Sequence, residues 1–256
     1  MGKIEGGLVK GKVVWITGAG TGIGRSTALM FAEEGATTAL MGRRTDVLEA
    51  VAAQAREKGG TAKVVALDVS DRAAVQASAE RLLGKWGRVD ILVNNAGLNI
   101  PERRLGVLTG ENWDQVIQVN LTGAYNMIAA VLPPMRAQGD GLIVNVSSMA
   151  GVRVSGLSGS AYTASKHGMN GLNHSINQEE WVNGIRATVL CPGEVNTEIL
   201  DRRPIPIPAE ERERLIAPED LAEAVRFVAA LHPRTTIPEI LLLPTHKRVH
   251  KPGETG

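Results

Sequence analysis

The chain has 256 residues, enough for one α/β domain with a full core. Its 28 Lys and Arg balance 27 Asp and Glu to a formal charge of +1, which gives neither the basic footprint of a nucleic-acid binder nor an acidic tail. A single cysteine excludes an internal disulfide framework, Met1–Lys12 has no apolar signal segment, and no run approaches the ~20 apolar residues of a membrane span; the expectation is a cytoplasmic protein with no membrane partner.

In chain order, Val13–Thr17 is the first expected strand, ending in a glycine-rich turn and the helical pattern Ser26–Glu34. Thr37–Met41 follows, then a helix over Asp46–Lys58 stopped by Gly59-Gly60. Ala62–Leu67 leads to a helix over Ala73–Trp86, with Asp71 as its N-cap and Gly87 at its end. Ile91–Asn94 precedes a long helix over Asn112–Met135, which the Pro133-Pro134 pair should end or kink. Leu142–Ser147, a helix over Ser160–Asn183 and the strand Arg186–Leu190 come next. A helix over Pro218–Leu231 and a last strand at Ile240–Leu243 complete the pattern.

Continuous apolar strands separated by helices imply a parallel sheet covered on both faces. The expected architecture is α/β: a single doubly wound domain over residues 1–256, with about seven strands. Cys191 follows the run Ala187–Leu190 and reads as a small buried hydrophobe. The proline-rich stretch Arg203–Pro208 suits neither a central strand nor a helix interior. It is followed by the charged run Ala209–Arg214, and residues 196–217 read either as a plain surface loop or as a lid over a pocket.

Thr17–Gly24 reads Thr-Gly-Ala-Gly-Thr-Gly-Ile-Gly between a strand and a helix. Glycines let the backbone turn sharply toward a pyrophosphate, and the helix start offers unpaired N–H groups and a positive dipole end. Gly18, Thr21, Gly22, Ile23 and Gly24 are therefore candidate cofactor-binding residues, a ligand-free glycine turn being the alternative. The second strand runs into Gly42-Arg43-Arg44 with no carboxylate at the turn. An acidic residue there would select NAD by its ribose hydroxyl, whereas an arginine fork suits a 2′-phosphate. The expected cofactor is NADP(H), held by Arg43 with help from Arg44; NAD(H) stays open. No metal is expected.

Tyr162 and Lys166 lie four apart on an expected helix and so share a face. Ser147-Ser148 ends the strand upstream, Asn94-Asn95-Ala96-Gly97 ends another, and Asn120 interrupts the long helix pattern. Together with the glycine turn, Leu67-Asp68-Val69 and Pro192-Gly193-x-Val195-x-Thr197, this ordered set resembles the short-chain dehydrogenase/reductase family over about Lys10 to Pro244.

The resemblance implies a Rossmann-like fold, a nicotinamide cofactor and hydride transfer at a carbonyl or alcohol carbon. Tyr162 would be the general acid for reduction and base for oxidation. A tyrosine ordinarily titrates near 10, so favouring its phenolate by about three units needs roughly 4 kcal/mol, part of it from the Lys166 ammonium. Lys166 would also hold the nicotinamide ribose, and Ser148 would steady the substrate oxygen. Asn120 would position a water linking Lys166 to solvent. Asp68 and Val69 would meet the adenine; Asn94, Ala96 and Gly97 would border the adenosine ribose, with strand stitching an equal reading for Asn94. Pro192, Gly193, Val195 and Thr197 would wrap the nicotinamide.

The serine-to-tyrosine spacing is 14, one more than the family's usual 13. Ser148 is chosen because Met149-Ala150-Gly151 follows it in the family's manner. The family's terminal diglycine is replaced by Ile237–Thr245 and a basic tail, residues 246–256. That end is similar to members that reduce small hydroxy- or oxo-acids; the tail reads as a solvated end or as a strap on a neighbouring subunit. The pocket walls should be Leu98–Leu105, Met149–Ala161 and Asn196–Ala217, with Arg103, Arg104, Arg202 and Arg203 as candidate grips for a substrate carboxylate. A broad carbonyl reductase, a polyol dehydrogenase, a 3-hydroxy acid dehydrogenase and a 3-oxoacyl-thioester reductase all fit. A non-catalytic NADP-binding sensor or scaffold is the alternative of another class. The resemblance also implies a homodimer or homotetramer built on the two long helices, although the stripe Ile117, Leu121, Ala124, Ile128 equally reads as core.

Overall fold

The computed structural model describes residues 9–202, 206–246 and 248, without the side chain of Arg202. Seven parallel strands form one sheet in the order β3-β2-β1-β4-β5-β6-β7. They are β1 (Val13–Thr17), β2 (Thr37–Gly42), β3 (Thr61–Ala66), β4 (Ile91–Asn94), β5 (Gly141–Val146), β6 (Ile185–Pro192) and β7 (Glu239–Leu242). The helices are α1 (Gly22–Glu33), α2 (Thr45–Glu57), α3 (Arg72–Trp86), α4 (Gly110–Ile117), α5 (Gly123–Gln138), α6 (Ser160–Glu179), α7 (Ala209–Arg212) and α8 (Pro218–Ala230).

Strand alternation divides the core. Val14 and Ile16 of β1 point into a cluster with Phe31, Leu48, Val51 and Val225 under α1, α2 and α8. Trp15 points the other way, among Leu82, Leu92, Met127, Val131 and Ile176 under α3, α5 and α6. With apolar side chains on both faces, the central strands read as unbroken hydrophobic runs. β1 pairs with β2 on one side and β4 on the other, so the chain reverses its direction of growth there and opens a crevice beyond Thr17 and Asn94.

Local chemistry sets several boundaries. The Asp71 carboxylate caps α3 by accepting from Ala74 N–H at 3.0 Å, and α3 ends at Gly87 with φ +72°. The long helix expected over Asn112–Met135 is instead two helices joined by a π turn at Gln118–Thr122, centred on Asn120. Pro133 and Pro134 do not end it: α5 carries both and runs on to Gln138, before Gly139 at φ +66°. The burial of Val131 and Met135 in the core outweighs the hydrogen bonds that the prolines cannot donate. Ala124 and Ile128 are buried within the same chain, which makes that part of the stripe core. The stretch Gly110–Gln138 is long and apolar enough to cross a membrane by composition, contrary to expectation, but half of that apolar window is buried inside the fold.

Candidate active site

A cavity of about 760 Å³ opens at the carboxyl ends of the strands. Its floor at the switch point is the turn from β1 into α1. Gly18 and Gly22 have φ of +63° and +50°, a region that disfavours side chains. A Cβ on Gly24 would stand 2.3 Å from the Gly18 carbonyl oxygen, so α1 can approach the turn only with glycine there. No side chain caps α1, whose first amides are left for a ligand.

Thr17 and Asn95 hold the turn. Thr17 Oγ1 accepts from the Asn95 and Ala96 N–H groups, both at 3.0 Å. Asn95 Nδ2 donates to the Thr17 and Gly18 carbonyls, both at 3.1 Å. Asn94 does not line the cavity: it is buried, and its Nδ2 donates to Asn145 Oδ1 at 3.0 Å and the Ala124 carbonyl at 3.3 Å. Asn145 passes the chain on to Asn173 Oδ1 of α6 at 3.0 Å, and Asn173 donates to the Pro238 carbonyl at 3.0 Å. Asn94 therefore stitches β4 to β5 and α6, while its neighbour Asn95 faces the glycine turn. Strand parity carries the distinction, because Asn94 shares the face of Leu92.

At the edge of the cavity under β2 and β3, Arg43 Nη1 lies 4.0 Å from Asp68 Oδ2, with the Arg43 side chain 61% exposed. Burial pushes the Asp68 carboxyl up. Hydrogen bonds from the Ser70 hydroxyl and amide, with the nearby Arg43 charge, hold it below the usual value. Arg44 is the N-cap residue of α2, an end that no side chain caps. Arg43, Arg44, Asp68 and Val69 all line the cavity.

The opposite end carries the ionisable pair. Lys166 and Tyr162, one turn apart on α6, face the cavity with the ammonium 5.5 Å from the ring centre. Lys166 is 3% exposed and donates to the Val146 carbonyl at 2.8 Å. Burial lowers its pKa from the usual 10.5 to about 8. Ser147 and Ser148 both border the cavity but differ in commitment. The buried Ser147 hydroxyl donates to the Lys166 carbonyl at 3.3 Å. The half-buried Ser148 hydroxyl accepts from Ala150 N–H at 3.1 Å, capping the short turn Met149–Gly151. Gly151 lets that turn lie flat on α6, since a Cβ there would stand 2.7 Å from the Lys166 carbonyl oxygen.

Asn120 does not line the cavity. It is fully buried; its Oδ1 accepts from Leu98 N–H at 2.8 Å, and its Nδ2 donates to the Leu98 carbonyl at 2.9 Å and Ser165 Oγ at 3.2 Å. Its side chain is thus a tie behind the wall. Gly24 is likewise a packing glycine behind the cavity lining.

The expected walls do meet. Arg103 is buried and donates to the Ile100 and Leu157 carbonyls at 2.8 and 3.1 Å; Asn99 donates to the Ser158 carbonyl at 2.9 Å. These bonds sew residues 98–105 to residues 149–161, so Arg103 serves as a clamp between loops. Arg153 is a further cavity-lining arginine that the sequence pattern did not single out. The Arg202 side chain and Arg203 lie outside the described residues. Pro192, Gly193, Val195 and Thr197 line the cavity beyond β6, and Thr197 Cγ2 would touch a Cβ on Gly22 at 2.8 Å. Thr197 therefore stands against the glycine turn. Cys191 is buried behind this wall, and burial raises its pKa to about 11, which leaves it a protonated thiol without nucleophilic character.

Comparison with known proteins agrees with this architecture. The family model for short chain dehydrogenases matches residues 12–205. The chain is 35% identical over 232 residues to the 3-oxoacyl-acyl-carrier-protein reductase FabG of Thermotoga maritima, covering 87% of this chain and 92% of that one. A metagenomic short-chain oxidoreductase in complex with NADP superposes with a TM-score of 0.81 at 34% identity, over 94% of this chain and all of the other (100%). Carveol dehydrogenase from Mycobacterium avium in complex with NAD superposes with a TM-score of 0.84 at 26% identity, over 93% and 97% of the two chains. The chain belongs to the short-chain dehydrogenase/reductase family and is an oxidoreductase acting on CH–OH groups.

Proposed function

We propose that the protein is an NADP(H)-dependent reductase that interconverts a small carbonyl compound and its alcohol, with Ser148, Tyr162, Lys166 and Asn120 as its working residues. The observation that carries this reading is the buried Lys166 ammonium beside the Tyr162 ring at the wall of the cavity that also holds the glycine turn. The cradle fits a dinucleotide pyrophosphate, because its glycines leave no room for side chains and the uncapped start of α1 supplies donors. The nicotinamide ring, when bound, supplies or accepts the hydride.

In reduction, the Tyr162 hydroxyl gives its proton to the substrate oxygen, and the Ser148 hydroxyl donates a hydrogen bond to that oxygen as charge develops on it. The Lys166 ammonium favours the phenolate left behind, and does so strongly because Lys166 itself is only 3% exposed. Asn120 is a positioning residue. It ties Leu98 to α6 and sits in the π turn, from where it would position a water leading from Lys166 to solvent. Arg43, Arg44 and the uncapped N-terminus of α2 suit a 2′-phosphate, which supports NADP(H) over NAD(H). Asp68 and Val69 would border the adenine, Ala96 and Gly97 its ribose, and Pro192, Gly193, Val195 and Thr197 the nicotinamide side. Residues 1–256 act as one domain, in a homodimer or homotetramer.

The test is NADPH oxidation with a panel of aldehydes, ketones and 3-oxo acids, with Tyr162→Phe in parallel. The expected result is turnover by the parent, abolished in the variant while NADPH still binds. Tight NADPH binding with no turnover of any carbonyl would point instead to a sensor or scaffold.

A further inference from the structure

Pro244 and Arg248 both lie against the loop after β6 of the same chain. Beyond β7, Gly193 N–H donates to the Leu242 carbonyl at 2.8 Å. A Cβ on Gly193 would stand 2.9 Å from Pro244 Cδ, so the tail crosses the loop after β6 at a distance that glycine permits. Arg248 then carries a guanidinium, only 3% exposed, into the cavity wall. Its Nε and Nη2 face the two carboxylate oxygens of Glu194 at 3.5 and 3.4 Å. Its Nη1 lies 3.5 Å from Glu211 Oε2 of α7. That Glu211 oxygen is buried and accepts no hydrogen bond among the described residues, so the ion pair is what offsets its charge.

One side chain thus joins three parts of the chain: the tail, the loop after β6 and α7. We propose that Arg248 is a specificity-determining positioning residue, which ties α7 to the loop after β6 and, through the lining residues Glu194 and Arg248, closes that wall of the cavity. Separating a buried arginine from a carboxylate is costly, which couples the three parts. The closure favours short carbonyl substrates over bulky ones. This last consequence rests on the carbonyl-reducing reading; the closure itself does not.

The test uses the full-length protein saturated with NADPH. Hydrogen–deuterium exchange is read on peptides covering residues 206–216, for the parent, Arg248→Ala, Arg248→Lys and Glu211→Gln. Arg248→Ala and Glu211→Gln should each speed exchange of α7 by about tenfold or more, and Arg248→Lys, which keeps the charge, should restore part of the protection. In parallel, Arg248→Ala should raise KM for butanone by about tenfold with kcat within about threefold, while benzylacetone gains relative to butanone. Unchanged α7 exchange in both Arg248→Ala and Glu211→Gln overturns the proposal, and exchange decides it even if neither ketone turns over. Should Arg248→Ala fail to fold, Glu211→Gln removes one charge without touching the tail and gives the same reading.

Discussion

The Lys166 ammonium stands 5.5 Å from the centre of the Tyr162 ring while donating to the Val146 carbonyl at 2.8 Å. It is held by the end of β5 and is only 3% exposed. The position has a thermodynamic cost, because burial disfavours the charged amine.

That cost sets a pH dependence. Lys166 titrates at about 8 in the fold against 10.5 when unfolded, so within that window the unfolded chain binds more protons. Stability contributed at Lys166 should therefore rise with pH from about 8 to 10.5. Below the window the protonated amine costs about 3 kcal/mol, at ~1.4 kcal/mol per pKa unit. Urea midpoints of the parent, measured against Lys166→Met, should be level below the window and climb through it. A relative fall across the same range would refute the burial argument.

Ser147 and Ser148 should separate cleanly. Ser148→Ala is expected to lower kcat/KM by about 100-fold through loss of the donor to the reacting oxygen, and to cost ~1 kcal/mol of stability through loss of the acceptor for Ala150 N–H. Ser147→Ala removes the bond to the Lys166 carbonyl and should cost ~1 kcal/mol of stability with a smaller kinetic effect. Steady-state kinetics and thermal melts on both variants check this; equal, small losses would sink the choice of Ser148.

Arg43→Asp should weaken NADPH by about 10- to 100-fold, in line with ~1.5–3 kcal/mol for a charged hydrogen bond, and leave NADH nearly unaffected. Fluorescence titration with the two cofactors reads the ratio directly. A variant that still prefers NADPH would mean that the phosphate sits elsewhere.

Gly24→Ala places a methyl group 2.3 Å from the Gly18 carbonyl oxygen. The fold should lose ~1–3 kcal/mol and the cradle its affinity for cofactor. Gly84, near the end of α3, is the control, because a Cβ added there would meet nothing within 4 Å. Gly84→Ala should be neutral or stabilising by up to ~1 kcal/mol. Chemical denaturation of the two variants side by side tests the contrast.

What could be read from residue order follows a physical division. The central strands of the sheet were legible because burial on both faces makes them continuous apolar runs, and α6 placed Tyr162 and Lys166 together by helical spacing alone. Asn94 and Asn95 were separable only by strand parity, which assigns the first to the packed interior. The continuation of α5 through Pro133 and Pro134 depends on how well Val131 and Met135 pack, which no local propensity reports. The π turn at Asn120 likewise exists because a long-range partner, Leu98, takes the side chain. The carbonyl partners of Arg103 lie up to 54 positions away, and Arg248 meets its acids 37 and 54 positions back. Such pairings become visible only once the chain is folded.

The relay of Asn94, Asn145 and Asn173 places three neutral amides in a row through the interior, from β4 across β5 to α6 and the strand entry at Pro238. Each link has a direction and a length, so α6 has one permitted azimuth on the sheet, where greasy contacts alone would tolerate sliding. The helix that carries Tyr162 and Lys166 is therefore indexed from the rear, by groups that no substrate reaches. Loops at the mouth can then drift in composition while the alignment of the working groups is inherited unchanged.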